Sequence, residues 1–199
     1  MFFIPTILNE MGFKPAQAQL HTIPIYVVCI VVAGITAYLS DRMRHRYIFT
    51  MAGILVATIG YTMLLRQELF STSVKYLAVF FISSGVYITQ PITIVWLANN
   101  MGGHYKRSFG AAIQIAVGNF GGIIGSNIYL QREMPAYRTG YGTALAMLWV
   151  AGALCTCFYF GLKRENKKRA RGERNERLNA PVEVVENLGD DHPEFRFSL

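Results

Sequence analysis

Long stretches without a charged side chain alternate with short charged segments along this chain. Asp, Glu, Lys and Arg are absent from five stretches: residues 19–39, 47–65, 76–100, 108–131 and 139–162. About 20 helical residues cross the ~30 Å hydrocarbon core of a bilayer, so each stretch is long enough to do so. The pattern predicts an all-α integral membrane protein with five complete spans, at about residues 19–39, 47–65, 76–98, 108–130 and 141–162.

Two further segments flank the predicted five-span bundle, which occupies residues 9–162. Residues 1–8 are apolar, but as a helix they reach only ~12 Å, which is too short to cross. We expect them to be the outer end of a truncated transmembrane helix. Residues 163–199 have too few apolar side chains to form a core, and they are predicted to be a basic and then disordered tail.

Composition and charge agree with a membrane protein. Charged residues make up 16% of the chain, against roughly 25% in soluble domains. The net charge is +7, and eight of the 19 basic residues lie in segment 163–177, directly after the last span. Basic residues in such a position stay in the cytoplasm and attract anionic lipids, so the lipid bilayer is the predicted partner and nucleic acid is not.

The distribution of basic residues also predicts the orientation. Segments 40–46, 101–107 and 163–177 carry 13 Lys and Arg residues, and the alternate segments carry five. The side richer in basic residues is the cytoplasmic one. We therefore expect the C-terminus in the cytoplasm.

The sequence offers no chemistry of the kind that an enzyme needs. Catalysis requires convergent acids, bases, nucleophiles or metal ligands, and the five stretches contain no charged side chain. Cys29, Cys155 and Cys157 lie in apolar spans without charged partners. We expect no enzyme activity, no catalytic residues, no cofactor and no metal site.

The third span contains a proline well inside the predicted helix. Pro91 leaves the carbonyl of Tyr87 without its usual helical partner, and Thr89, Gln90 and Thr93 are near enough to replace it. Such a weak point is tolerated against other helices or a wet cavity. Pro91 therefore either kinks a helix that lines a substrate path or is a purely structural kink.

The fourth span combines small residues with amides. Its glycines form two overlapping pairs with a spacing of four: Gly118 with Gly122, and Gly121 with Gly125. This pattern lets two helix backbones approach closely, and we expect the glycines to serve packing. Three amides lie at bilayer depth, where an unpaired amide is costly: Gln114, Asn119 and Asn127. We expect one of the three to contact a substrate.

The loop after the first span carries a family signature. Residues 37–46 read AYLSDRMRHR and are similar to the G-x-L-x-D-R-x-G-R-[KR] signature of the major facilitator superfamily. The matching positions are Leu39, Asp41, Arg42 and Arg46, while Ala37, Arg44 and His45 replace two glycines and an arginine. An acid at the end of one helix can attract the positive N-terminus of the next. The resemblance implies that Asp41, Arg42 and Arg46 form a cytoplasmic gate motif, an inner latch that holds one gate conformation.

Further stretches resemble one branch of that superfamily. They are FIPTI (3–7), MGF (11–13), AQAQL (16–20) and IPIY (23–26), followed by the positions from Trp96 to SNIY (126–129) and the ending DDHPEFRFSL (190–199). Together they look like the fungal anion:cation symporter family, which includes allantoate and nicotinate permeases.

The resemblance implies a twelve-helix transporter whose two six-helix halves rock around a central site. This chain would be the C-terminal half, the end of helix 7 plus five complete spans. The implied substrates are small organic anions such as nicotinate, allantoate, pantothenate or similar carboxylates, carried with protons across the plasma membrane or, alternatively, the vacuolar membrane. Because the central site lies between halves, a missing N-terminal half or another copy would complete it.

Six residues are our candidates for the substrate path: Tyr26, Tyr87, Gln90, Trp96, Gln114 and Asn119. They would supply neutral hydrogen bonds and aromatic walls, and charge recognition and proton coupling would come from the missing half. A second interpretation stays open, in which the chain is a half-transporter that acts as a structural or regulatory membrane subunit without transport activity alone.

Overall fold

The computed structural model describes residues 7, 15–129, 133 and 137–199, apart from the side chains of Pro15 and Ser126. Five long helices run through these residues: α1 (Pro15–Met43), α2 (Arg46–Leu65), α3 (Thr72–Asn99), α4 (His104–Asn127) and α5 (Arg138–Ala170). The truncated helix predicted at residues 1–8 lies outside the described residues apart from Ile7, and so does the segment 8–14.

Each of the five helices is long and apolar enough to cross a membrane. The prediction of an all-α membrane fold with five complete spans is therefore confirmed for the described part of the chain. The helices extend beyond the charge-free stretches, most clearly in α5, which continues past Leu162 to Ala170. A helix satisfies its own backbone groups in lipid and in water alike, so it does not have to end where the apolar side chains end.

The helix α3 is the centre of the bundle. It packs most extensively on α2 and also contacts α1 and α4, while α5 packs chiefly on α2. The backbones of α2 and α3 approach closely at two glycines. A Cβ atom on Gly53 would lie 2.8 Å from the carbonyl oxygen of Gly85, and one on Gly60 would lie 2.6 Å from that of Ala78. Small residues thus set the distance between these two helices.

The glycines of α4 do not have this role in the described structure. A Cβ atom placed at Gly118, Gly121, Gly122 or Gly125 would have nothing within 4 Å. The helix α4 packs chiefly on α3, and no described side chain of α4 is fully buried. Among the described residues nothing packs on the helix face that carries these glycines, so their role in packing stays a prediction.

The loops and the C-terminal residues gather at the two ends of the bundle. At one end, which we call the basic end, segments 40–46, 99–107 and 163–199 meet: Lys106 Nζ lies 3.0 Å from Asp190 Oδ1, and the N–H of Arg46 donates to the Leu199 carbonyl oxygen at 2.7 Å. At the opposite end, Arg138 Nη2 lies 2.5 Å from Glu68 Oε1. The segments that the sequence assigns to one side of the membrane thus share one end of the bundle.

The residues after α5 take a defined path, in contrast to the predicted disordered tail. They form a short 3-10 helix (Asn175–Asn179), the short helix α6 (Val182–Glu186) and a 3-10 turn (Gly189–Asp191) before they run back along the basic end. Few of these residues are buried. The segment is fixed by polar contacts to the helix ends, which is why its low apolar content was a poor guide to its order.

Candidate functional sites at the bundle centre and the basic end

Two of the predicted substrate-path residues form an aromatic pair. Tyr26 of α1 and Tyr87 of α3 are half-buried, and their rings meet edge to face with centroids 6.2 Å apart. The same two helices are joined nearer the opposite end, where the Tyr76 hydroxyl donates to the His21 carbonyl oxygen at 2.8 Å. The structure thus presents two aromatic rings together on the α1–α3 side of the bundle.

The proline in α3 does not interrupt the helix, which runs from Thr72 through Pro91 to Asn99. The hydroxyl of Thr89 donates to the carbonyl oxygen of Gly85 at 2.8 Å. The hydroxyl of Thr93 lies 3.0 Å from the carbonyl oxygen of Thr89 and 2.9 Å from that of Gln90. The threonines therefore bond to other carbonyls than that of Tyr87, and the Gln90 side chain is exposed.

The amides of α4 differ in their surroundings. The side-chain oxygen of Gln114 is buried and has no hydrogen-bond partner among the described residues. It lies in an open, largely apolar groove of about 530 Å³ between α3 and α4, together with Leu97, Met101 and Phe109. Asn119 is exposed. A buried acceptor without a partner favours Gln114 as the amide that would receive a donor from a ligand or from another helix.

The structure places Trp96 away from the tyrosine pair. This side chain is only 2% exposed, and its indole Nε1 donates to the carbonyl oxygen of Ser198 at 2.9 Å. Its ring packs edge to face on Phe158 of α5, with centroids 5.0 Å apart. Trp96 thus belongs to the contact between α3, α5 and the C-terminal residues.

The predicted gate motif contains a close ion pair. Arg46 Nη2 lies 2.6 Å from Asp41 Oδ1, and their side chains are 10% and 67% exposed, respectively. Asp41 therefore bonds to the guanidinium of Arg46, whereas the N-terminus of α2 has no side-chain cap. Arg42 is exposed. Of the three motif residues, the structure brings Asp41 and Arg46 together across the turn between α1 and α2.

The turn in this motif keeps the conformation that a glycine would favour. Arg44, at a glycine position of the family signature, has a φ of 54°. Side chains other than glycine rarely adopt this left-handed region, because Cβ comes too close to the following carbonyl oxygen. Arg44 therefore carries the strain of a backbone conformation that glycine adopts freely.

Two asparagines that the sequence analysis did not single out bind consecutive residues of the C-terminal segment. Asn166 Nδ2 donates to the carbonyl oxygen of Phe197, and its Oδ1 accepts from the N–H of the same residue, both at 2.9 Å. Asn100 does the same with Ser198, at 3.1 Å and 2.7 Å. Nothing in the local sequence around residues 100 and 166 points to partners so far along the chain.

Arg169 anchors the segment just before these residues. Its side chain is 3% exposed, and Nη1 donates to the carbonyl oxygens of Asp190, His192 and Phe195 at 2.9–3.2 Å. Glu165, four residues earlier on α5, accepts from Arg169 Nε at 3.4 Å and forms two bonds with Arg174. The hydrogen bond and the charge of Glu165 raise the pKa of the Arg174 guanidinium.

Metal ligands are not assembled in the part of the chain that the structure describes. No group of three or more His, Cys, Asp or Glu side chains there could hold a metal ion. Cys29 is buried, Cys155 is half-buried and Cys157 is exposed, all as free thiols. The arrangement described above offers hydrogen bonds and aromatic faces to a ligand.

Comparison with known proteins gives one family match over almost the whole chain. Residues 2–190 match the model of the MFS_1 like family. The high-affinity nicotinic acid transporter of Saccharomyces cerevisiae is 32% identical over 196 residues, which cover 98% of this chain and 36% of that protein. An uncharacterized transporter of Schizosaccharomyces pombe is 32% identical over 99% of this chain and 38% of its own length. The MFS-type transporter cnsO of Penicillium expansum is 30% identical over 100% of this chain and 39% of its own length.

The chain therefore spans well under half the length of these relatives. No solved structure matches it.

Proposed function

The chain belongs to the MFS_1 like family, and from this membership we propose that it is part of a secondary transporter that carries small organic anions by alternating access. The observation that supports this substrate class is the 32% identity to a nicotinic acid transporter along 98% of the chain. Nicotinate, allantoate, pantothenate and similar carboxylates share one anionic group on a small polar frame, and they define the class that we propose.

The chain would contribute neutral groups to the substrate path. Tyr26 and Tyr87 would offer aromatic faces and hydroxyls, and the unpartnered oxygen of Gln114 would accept a hydrogen bond. The charge-free stretches contain no residue to balance a carboxylate, and an unbalanced charge inside a bilayer is costly. The counter-charge and the coupling proton would therefore be handled by groups in another half or another copy.

The ion pair between Asp41 and Arg46 supports a gate at the basic end. It joins the end of α1 to the first residue of α2. A movement of one helix relative to the other would therefore break the ion pair, whereas a joint movement would preserve it. We assign the basic end to the cytoplasmic side because basic residues concentrate there. The plasma membrane is the proposed location.

A second candidate function is that of a half-transporter subunit without activity of its own. The open glycine face of α4 favours it, because small-residue pairs with nothing within 4 Å form a surface on which another helix could pack. Neither candidate predicts uptake by the chain alone, and the two differ in whether the chain forms part of the substrate path once another half is joined to it.

Uptake of labelled nicotinate tests the proposal. Yeast cells that lack their nicotinic acid transporter would express this chain alone, this chain fused behind the part of the yeast transporter that it does not match, or an empty vector. We expect uptake from the fusion and none from the chain alone, with competition by unlabelled nicotinate and related carboxylates. A fusion that reaches the cell surface and carries no small carboxylate would contradict the substrate class, and uptake by the chain alone would contradict the need for another half.

A further inference from the structure

The C-terminal residues 189–199 are bound to the basic end as an extended peptide is bound by a receptor. We propose that this segment is a strap, a stretch of the chain that holds the basic ends of α2, α3 and α5 together and that can be released while the helices stay folded. The proposal does not depend on which substrate the protein carries.

The backbone contacts of the strap carry this inference. Asn166 of α5 bonds to both backbone groups of Phe197, and Asn100, just after α3, bonds to both backbone groups of Ser198. A pair of bonds to the N–H and the carbonyl of one residue is how a neighbouring strand is held in a sheet. Asn166 in α5 and Asn100 just after α3 thus bind the backbone of two consecutive residues as a neighbouring strand would.

The strap also provides a hydrogen-bond acceptor to the N-terminus of α2. The N-terminus of α2 has no side-chain cap, and the N–H of Arg46 donates to the Leu199 carbonyl oxygen at 2.7 Å. The first N–H groups of a helix have no partner within the helix, and a bond to an outside oxygen stabilises them. The strap therefore connects α2 with α3 and α5 through its own backbone.

The beginning of the strap is held against Gly102 by close backbone contact and against Lys106 by an ion pair. A Cβ atom on Gly102 would overlap the backbone nitrogen of Asp190, so only glycine leaves room there. Lys106 at the start of α4 pairs with the Asp190 carboxylate at 3.0 Å. Arg169 collects three carbonyl oxygens of the strap, and its guanidinium carbon lies 4.5 Å from the Phe197 ring centroid.

The kinds of atoms that the strap contacts explain why its release would leave the helices folded. Most of the contacts join a side chain of a helix to the backbone of the strap, so they form no part of the hydrogen bonding within any helix. The packing of α2 on α3 rests on glycines such as Gly53 and Gly85, whose close neighbours belong to these two helices and not to the strap. Contacts of this kind can open locally, at a free energy well below that of global unfolding.

Trp96 provides an intrinsic reporter, because its indole N–H is bonded to Ser198 and the chain has only one other tryptophan. In a Trp149→Phe background, Ser198→Pro removes the N–H that donates to Asn100 Oδ1, and Ser198→Ala keeps both backbone groups. We expect Ser198→Pro to raise the quenching of Trp96 by acrylamide about threefold or more, through local opening of the strap. Ser198→Ala should leave the quenching unchanged, and equal quenching in the two variants would overturn the proposal.

A second variant releases the strap by a change in α5, so that the test does not depend on correct folding of Ser198→Pro alone. Asn166→Ala removes both bonds to Phe197, while Lys167→Ala changes the exposed neighbouring residue. We expect increased Trp96 quenching in the first only. Circular dichroism should show the same helix content in all variants, and a loss of helix in both Ser198→Pro and Asn166→Ala would refute a strap that is released from folded helices.

Hydrogen exchange distinguishes a strap from passive packing. If the strap holds the helix ends together, its release by Ser198→Pro should speed exchange at residues 45–49 and 99–103 by about tenfold or more, although neither segment is mutated. Exchange within residues 53–60 should stay slow. Exposure of Trp96 without faster exchange at 45–49 would show that the segment covers the basic end without holding it, and would overturn the proposal.

Discussion

Gly53 of α2 and Gly85 of α3 lie backbone to backbone, and neither position has room for a side chain. A Cβ atom on Gly53 would come within 2.8 Å of the Gly85 carbonyl oxygen, and one on Gly85 would come within 2.5 Å of the Ala57 backbone nitrogen. Both obstacles are backbone atoms, which cannot rotate away as a flexible side chain can. Any side chain at these positions would have to push the two helices apart.

We therefore expect Gly85→Ala to lower the free energy of unfolding by about 1–3 kcal/mol, the usual effect of overpacking. The measurement is unfolding in detergent micelles, followed by circular dichroism. The matched control is Gly118→Ala in α4, where a Cβ atom has nothing within 4 Å. The control should be neutral or should stabilise the helix by up to about 1 kcal/mol, and equal losses in the two variants would contradict the close contact of α2 with α3.

The glycines show what a sequence pattern can predict about packing and what it cannot. The spacing of Gly118 with Gly122 says that α4 can be approached closely, but it does not say whether a helix of this chain lies there. Gly53 and Ala57 are small residues with the same spacing of four, but the spacing does not say that the partner of this face is Gly85 on α3. Close packing requires a matching face on each of two helices. The spacing of small residues marks one such face but does not identify the helix that packs on it.

The strained turn at Arg44 leads to a second prediction. A φ of 54° costs a residue with a side chain roughly 1–2 kcal/mol, and glycine adopts it without that strain. Arg44→Gly should therefore raise the free energy of unfolding by about 1 kcal/mol. Arg44→Ala is the control, because it removes the same charge and keeps Cβ. If the alanine variant is as stable as the glycine variant, strain at this position is not the cause.

Sequence reasoning located the helices and placed Asp41 and Arg46 in one loop motif, but it did not locate the C-terminal contacts. The charge-free stretches predicted five spans because lipid excludes charge along the entire width of its core. The contact of Asp41 with Arg46 follows from positions five residues apart on either side of one turn. The contact of Asn100 with Ser198 joins residues that are 98 positions apart. Both are polar residues of types that are usually exposed to solvent, so the sequence gives no sign that they meet.

The ion pair between Asp41 and Arg46 gives a third prediction. Asp41→Asn removes the negative charge from a guanidinium that is mostly buried. Because Asp41 itself is exposed to solvent, we expect a loss of about 1 kcal/mol in the free energy of unfolding. The loss should shrink at high ionic strength, since salt screens exposed charges. Arg42→Gln is the control at the exposed neighbouring position, and a similar loss there would mean that general charge balance matters and the pair does not.

Cysteine labelling tests the proposed orientation. In a variant without Cys29, Cys155 and Cys157, Leu178→Cys places a thiol at the basic end and Leu69→Cys places one at the opposite end, both at exposed positions. We expect a membrane-impermeant maleimide to label position 69 in intact cells and position 178 only after the membrane is opened. The reverse pattern would put the basic end outside and would contradict the positive-inside assignment.

Variants in the open glycine face of α4 should affect assembly with another helix without affecting the stability of this chain. Gly118→Leu combined with Gly122→Leu should leave the unfolding of the isolated chain unchanged, because no described residue lies within 4 Å of a Cβ atom at these positions. In the fusion with the yeast transporter, the same pair should abolish nicotinate uptake with normal amounts at the cell surface, because leucine side chains would keep another helix from packing on this face. Ile123→Leu, at an exposed position of the same helix outside the Gln114 groove, is the control and should keep uptake. Full uptake by the double variant would mean that the glycine face points to lipid, and the packing proposed for it would then be excluded.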